Sequence, residues 1–242
     1  MKVLDHGFVE LVSHTGHVGI TVDAARCSLG STSDHMGTAD RKLVRYLLEH
    51  GHTSPFRHYF FTFHVKAPLF VFRQWWKYQV GSTWREYDIE GEPAGYGILT
   101  SHDIQMDSDC GSSWNELSGR YRKLEPEFYL PAEARRNTGR QRSASAMELT
   151  NIMQDQLQLG YLDATRRYEL MLESGVAKEL ARLVLPPAIY SEAFWTVSLQ
   201  AILHFLEQRL KPDAQMEIRH YAESVLTLCK PQLDAMGILP KS

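Results

Sequence analysis

The stretch from Arg57 to Val80 changes its repeat in mid-course, and this switch constrains the fold more than any other feature. RHYFFTFHVKA at 57–67 is rich in aromatic and β-branched residues at alternate positions, which is the pattern of a half-buried strand. Pro68 follows, a residue suited to the first turn of a helix. PLFVFRQWWKYQV then carries apolar Phe70, Val71 and Trp75, while Arg73, Gln74 and Lys77 fall together on one polar face at helical spacing. Strand and helix in one uninterrupted run place the chain among α/β or α+β folds.

The rest of the chain agrees. GFVELVS at 7–13 and SEAFWTVS at 191–198 read as strands. Asp23 is placed to cap a short helix through AARCSL, and DRKLVRYLLEH at 40–50 reads as a helix stopped by Gly51. Residues 147–174 carry Leu157, Tyr161, Ala164, Tyr168 and Met171 on a repeating stripe. Further helices are expected at 176–186, ended by Pro186–Pro187, and at 198–210 and 213–229. Between 83 and 113 the chain turns rich in Gly, Ser and Asp, which reads as an inserted loop. No linker or internal repeat divides the 242 residues, so the expectation is a single domain over 1–242.

Composition narrows the function classes. The chain is 43% hydrophobic and 23% charged with a formal net charge of −3, which disfavours a disordered chain and a nucleic-acid binder. No apolar run reaches the length of a membrane span, and MKVLDHGFVELV does not resemble a targeting segment. With three scattered cysteines, Cys27, Cys110 and Cys229, a reduced, cytoplasmic protein is expected. No metal site is expected, because the histidines form no ligand motif; His58 and His64 share one strand face and read as structural.

Candidate chemistry is sparse when the residues are taken singly. NELSGRY at 115–121 puts Ser118, Gly119 and Arg120 together, a glycine for close backbone approach to an anion and two donors beside it. Arg182 and Arg209 lie in otherwise apolar helical stretches. A buried guanidinium is costly unless it meets an anion or several acceptors, so buried arginines here would suit a phosphate and a carbonyl or imide. None of the cysteines has the setting of a nucleophile.

Taken together, the blocks GFVELV, AARCS, EHGHTSPFRH, FTFHVKAPLFVFRQW, NELSGRY, EFYLP, ARLVLP, FWTVS and HFLEQRL…AQMEI resemble the flavin-dependent thymidylate synthases, in order from about residue 7 to 225. The resemblance implies a mixed, largely antiparallel sheet flanked by helices and a homotetramer with active sites shared between subunits. It implies methylation of dUMP at C5 to give dTMP, with FAD, NADPH as reductant and methylenetetrahydrofolate as one-carbon donor. It implies that Gln74, Trp75, Trp76, Lys77, Glu116, Leu117, Ser118, Gly119 and Arg120 hold the nucleotide. Arg182 is expected to reach it from another subunit, and Arg209 to bind the uracil edge and favour its N3-deprotonated form. His52 corresponds to a histidine near flavin and folate. The catalytic set is therefore Arg209, His52 and Ser118, and the cofactor set Ser28, Ser54, Lys77, Tyr78, Gln79, Glu116, Ser198, Gln200 and His204.

The chain departs from the family where the flavin is expected. The family's Arg-His-Arg signature is Lys77, Tyr78, Gln79 here; Ser198, Gln200 and His204 replace an asparagine, an arginine and an asparagine; Arg57 stands where an acid is usual. Since the replacements remain polar, altered FAD binding is favoured over its loss. Two other readings stay open: C5 modification of a related nucleotide such as UMP, including hydroxymethyl transfer, and a nucleotide-binding homologue with weakened flavin binding.

Overall fold

Antiparallel strands dominate because the alternating segments find one another across long stretches of chain. The computed structural model describes residues 1–27, 30, 36–76, 78, 85–87, 95–97, 114–135 and 147–238. Strands β1 (Lys2–Val3), β2 (Gly7–Thr15), β3 (Phe60–Pro68), β6 (Trp114–Glu116) and β7 (Tyr190–Ser198) form one sheet in the order β1-β2-β3-β7-β6. Every pairing in it is antiparallel. Two short strands, β4 (Arg85–Tyr87) and β5 (Gly95–Gly97), pair antiparallel inside the stretch expected to be an irregular loop; the rest of 83–113 lies outside the described residues.

The centre is the β3–β7 pair, in register from Phe60 opposite Ser198 to Pro68 opposite Tyr190. Each strand passes into a helix without a loop: β3 into α3 (Leu69–Trp75), β7 into α6 (Leu199–Arg209). The two junctions mirror each other. Leu69 N–H donates to Ile189 O at 2.9 Å, and Leu199 N–H donates to Tyr59 O at 2.8 Å. Each helix thus starts on a hydrogen bond to the neighbouring strand's entry, which ties its origin to the sheet register.

One sheet face is apolar. Phe61, Phe63, Val65, Trp195 and Val197 are buried there with Ile202 and Phe205 of α6, and with Ile218, Tyr221 and Val225 of α7 (Met216–Met236). Trp75 lies in the middle, its ring 5.1 Å from Phe205, 5.3 Å from Trp195 and 5.5 Å from Tyr221. The other face is half-open: His64 stacks on Phe194 at 4.7 Å and meets Glu192 at 3.0 Å.

Several boundaries differ from expectation. In α1 (Ile20–Ala25) the N-cap is Gly19, and Asp23 lies inside the helix facing His17 at 3.2 Å. The helix expected over 176–186 is one turn, α5 (Lys178–Ala181), followed by a 3-10 turn over Arg182–Val184. Leu185 before Pro186 is held extended, and only Ala181 is buried, so no apolar stripe sustains a longer helix. In contrast, α7 runs past Cys229 through Pro231 to Met236. The backbone hydrogen bond lost at proline is outweighed by burial of Cys229, Leu233 and Met236. The long helix α4 (Met147–Glu173) buries Ala164 and Tyr168 along the expected stripe.

Candidate active site

Two groups of polar side chains stand out, each anchored by the sheet. The first grows from the end of β6. Leu117 N–H donates to Glu192 O at 2.8 Å, which pins the start of the Ser-Gly-Arg turn to β7. Ser118 Oγ accepts the Arg120 N–H at 3.3 Å. Gly119 is buried, and a Cβ added there would lie 3.0 Å from Leu124 Cδ1 and 3.3 Å from Arg182 Cδ. The glycine therefore lets the Arg182 stem lie against the turn. Lys178 Nζ donates to Tyr121 O at 3.3 Å, and the Arg120 guanidinium lies 5.2 Å from the Tyr121 ring centre. Arg120, Lys178 and Arg182 thus gather around one turn.

Arg182, expected to reach the nucleotide from another subunit, rests its stem against the Ser-Gly-Arg turn of its own chain. Substituting Gly119 by alanine should displace Arg182 and raise KM for the nucleotide by about tenfold with a small change in thermal midpoint, since overpacking here meets flexible side-chain ends; a KM unchanged in the folded variant would separate Arg182 from the nucleotide.

The neighbouring cleft, about 430 Å³, has a different character. It is lined by Lys66 and Arg122 but also by Glu125, Glu127 and Glu192. Lys66 is already met by Glu127 at 2.5 Å. Its carboxylates outnumber its cations, which makes it a poor phosphate site.

The second group lies along α3, α6 and the start of α7. Gln74 Nε2 donates to Gln215 Oε1 at 2.5 Å. Tyr78, only 8% exposed, sets its ring against Phe205 and His204. The Arg209 guanidinium carbon lies 5.2 Å from the centre of that ring. Arg209 Nε is buried without a hydrogen-bond acceptor among the described residues, and none of their carboxylates forms an ion pair with Arg209. Nearer the start of α6, Arg57 Nε donates to Gln200 Oε1 at 2.6 Å. The two replacements at 57 and 200 therefore meet each other.

His52 and Ser54 are exposed on the same side of the sequence that leads into Arg57. Helix α2 (Thr38–Glu49) is followed by His50 at its C-cap and then by Gly51, whose φ of +70° suits glycine. His52 N–H donates to Leu47 O at 2.8 Å and Gly51 N–H to Leu48 O at 3.3 Å, so the backbone of His52 is fixed. Tyr46 stacks on His50 at 4.0 Å and lies 6.4 Å from His52.

Two expected site residues are elsewhere. Trp75 is wholly buried in the core and presents no surface to a substrate. Ser198 is also wholly buried, and its Oγ caps α6 by accepting the Ala201 N–H at 3.3 Å, so it faces the protein rather than a cofactor. Trp76 is 42% exposed at the end of α3, and Glu116 is exposed beside Trp114. Ser28, Lys77, Gln79 and Cys110 lie outside the described residues. Burial pushes the Cys229 thiol well up, which removes it as a nucleophile. Gln215, Lys178 and Tyr121 were not singled out from sequence; only tertiary contact reveals them. No hydrogen bond or ion pair among the described residues joins the two groups.

The family model for thymidylate synthase complementing protein matches residues 10–89 and 99–233. The chain belongs to this family. The break at 90–98 falls within the stretch read as an insertion. Among relatives, the flavin-dependent thymidylate synthase of Thermus thermophilus is 37% identical over 238 residues, covering 96% of this chain and 75% of that protein. The flavin-dependent thymidylate synthase of Thermotoga neapolitana is 37% identical over 226 residues, covering 93% and 86%. Among solved structures, the UMP/dUMP methylase PolB from Streptomyces cacaoi bound with 5-Br dUMP matches with a TM-score of 0.73 and 28% identity over 100% of both chains. The same methylase bound with 5-Br UMP matches with a TM-score of 0.70 and 28% identity over 99% of both. The architecture of this family member is thus the expected mixed one, with its antiparallel sheet flanked by helices. No helix among its described residues is long and apolar enough to cross a membrane.

Proposed function

We propose that this family member is a methyltransferase that converts dUMP to dTMP at C5, with methylenetetrahydrofolate as one-carbon donor and NADPH-reduced FAD as cofactor. The observation that carries the reading is Arg209: a half-buried cation whose Nε has no acceptor among the described residues. A guanidinium kept in this state is ready for a ligand's acceptors. Placed at the uracil edge, it favours the N3-deprotonated ring and makes C5 a better nucleophile. Gln74, its amide nitrogen committed to Gln215, keeps its oxygen for a donor on the nucleotide. Ser118, Arg120 and Arg182 suit the phosphate.

The polar face near the start of α6 fits a flavin dinucleotide in chemistry. It offers the Arg57–Gln200 pair, the exposed Ser54 hydroxyl, and the exposed rings of His52 and His204. Held there and reduced by NADPH, the flavin would supply a hydride to the nucleotide ring while the one-carbon unit ends at C5. Ser198 takes no part. His52, Lys77 and Gln79 remain candidates on the strength of the family resemblance.

Assembly completes the proposal. Helix α4 leaves Ile152, Leu159, Leu162 and Leu170 exposed, and Tyr121 and Leu183 are each 76% exposed beside the Ser-Gly-Arg turn. Apolar surface of this extent suits subunit contact. A cytoplasmic homotetramer sharing its active sites would bring the turn of one chain to Arg209 of another.

The deciding experiment is tritium release from C5-labelled dUMP with methylenetetrahydrofolate and NADPH, with and without FAD. FAD-dependent release is expected; its absence in folded protein would refute the reading. UMP is run in parallel, because the similar solved structures are of a methylase that takes both nucleotides by name. Preferential release from UMP would move the substrate to the ribonucleotide.

A further inference from the structure

We propose that Tyr78 is a positioning residue that holds Arg209 for the base through its ring face, without neutralising it; this rests on the reading of Arg209 given above. The guanidinium carbon lies 5.2 Å from the Tyr78 ring centre, inside the range in which a ring quadrupole attracts a cation. The ring itself is fixed. Phe205 meets it edge-on at 5.3 Å and 78°, and His204 approaches at 5.5 Å. With 8% of its surface exposed, Tyr78 has little freedom to leave this place.

The choice of partner matters chemically. A carboxylate would orient Arg209 as well, but it would cancel the charge that the uracil ring needs. No carboxylate among the described residues pairs with Arg209. An aromatic face orients the cation and leaves its full charge for the ligand. The Arg209 Nε, buried without an acceptor, shows that the stem has entered the apolar wall. Tyr78 occupies a position where the family signature has histidine. The ring retained there offers the cation a π face.

The test uses the flavin-loaded enzyme and 5-fluoro-dUMP, whose N3 ionisation is read directly by ultraviolet difference spectroscopy. Wild-type protein is expected to lower the N3 pKa of the bound probe. Y78F should preserve that shift, because it keeps the ring. Y78L, which retains apolar bulk without a π face, should lose roughly one pKa unit of it while keeping its thermal midpoint and flavin content near those of Y78F. R209A should abolish it.

A full shift in Y78L would overturn the positioning role. Loss of the shift in Y78F as well would assign the effect to the hydroxyl and overturn it too. A shift surviving in R209A would instead refute the reading of Arg209 on which the inference stands. That result is distinguishable, because the two Tyr78 variants would then be uninformative about Arg209 and the inference would fall with it.

Discussion

An Arg209→Ala enzyme is expected to release tritium from C5-labelled dUMP about 10²–10³ times more slowly than the parent, the usual cost of removing one preorganised charge from a site where charge develops. The loss should appear mainly in kcat. Arg209 is half-buried, with its Nε out of reach of any described acceptor, so little folding energy rests on a protein partner for it. What it offers is realised when the base carries negative charge, which is the condition for a rate effect larger than a binding effect. Arg209→Lys should recover only part of the rate, because an ammonium keeps the charge but loses the planar fork. A kcat within threefold of the parent in the alanine variant would remove Arg209 from the mechanism.

The largest stability effect is expected at Trp75. Replacement by alanine should cost about 3–5 kcal/mol, read from the urea midpoint, as large-to-small changes of buried aromatic residues do. Trp75 is wholly buried and meets Phe205, Trp195 and Tyr221. It joins α3, the sheet, α6 and α7, and the cavity left behind would border all four. Family resemblance grouped it with the nucleotide-binding residues beside Gln74. Weakened nucleotide binding at unchanged stability would restore that assignment and contradict the core placement.

The elements were legible wherever a local repeat decided them. The switch at Pro68 marks the end of β3 and the start of α3. The stripe from Leu157 to Met171 marks α4. Local pattern failed where distant packing decides. VAKELARLVLP has a helical look, but only Ala181 within its one helical turn finds a buried place. Ser198 is polar and stands at a family cofactor position, yet its hydroxyl is used to cap α6. Among the site residues, Arg209 and the Ser-Gly-Arg turn were visible as unusual residues in their segments. Their partners were not. Tyr78 with Arg209, Gln74 with Gln215, and Arg57 with Gln200 are pairs across long sequence separations, and nothing in a single sequence ties one member to the other. The replacements at 57 and 200 looked like two separate departures from the family; the structure makes them one contact.

The full nine-residue register between β3 and β7 has an evolutionary consequence. These strands close everything between residues 69 and 189 into a single loop, and both helices that carry Gln74 and Arg209 are launched from its base. Lengthening such a loop by the 83–113 stretch adds only roughly 0.3 kcal/mol of closure entropy, because the cost grows with the logarithm of length. Sequence can therefore be gained or lost in that stretch at almost no thermodynamic penalty while the strand register, and with it the origin of both helices, stays as it is. Lineages of this architecture are free to remodel the stretch between the helix of Gln74 and the Ser-Gly-Arg turn without first having to re-stabilise the fold.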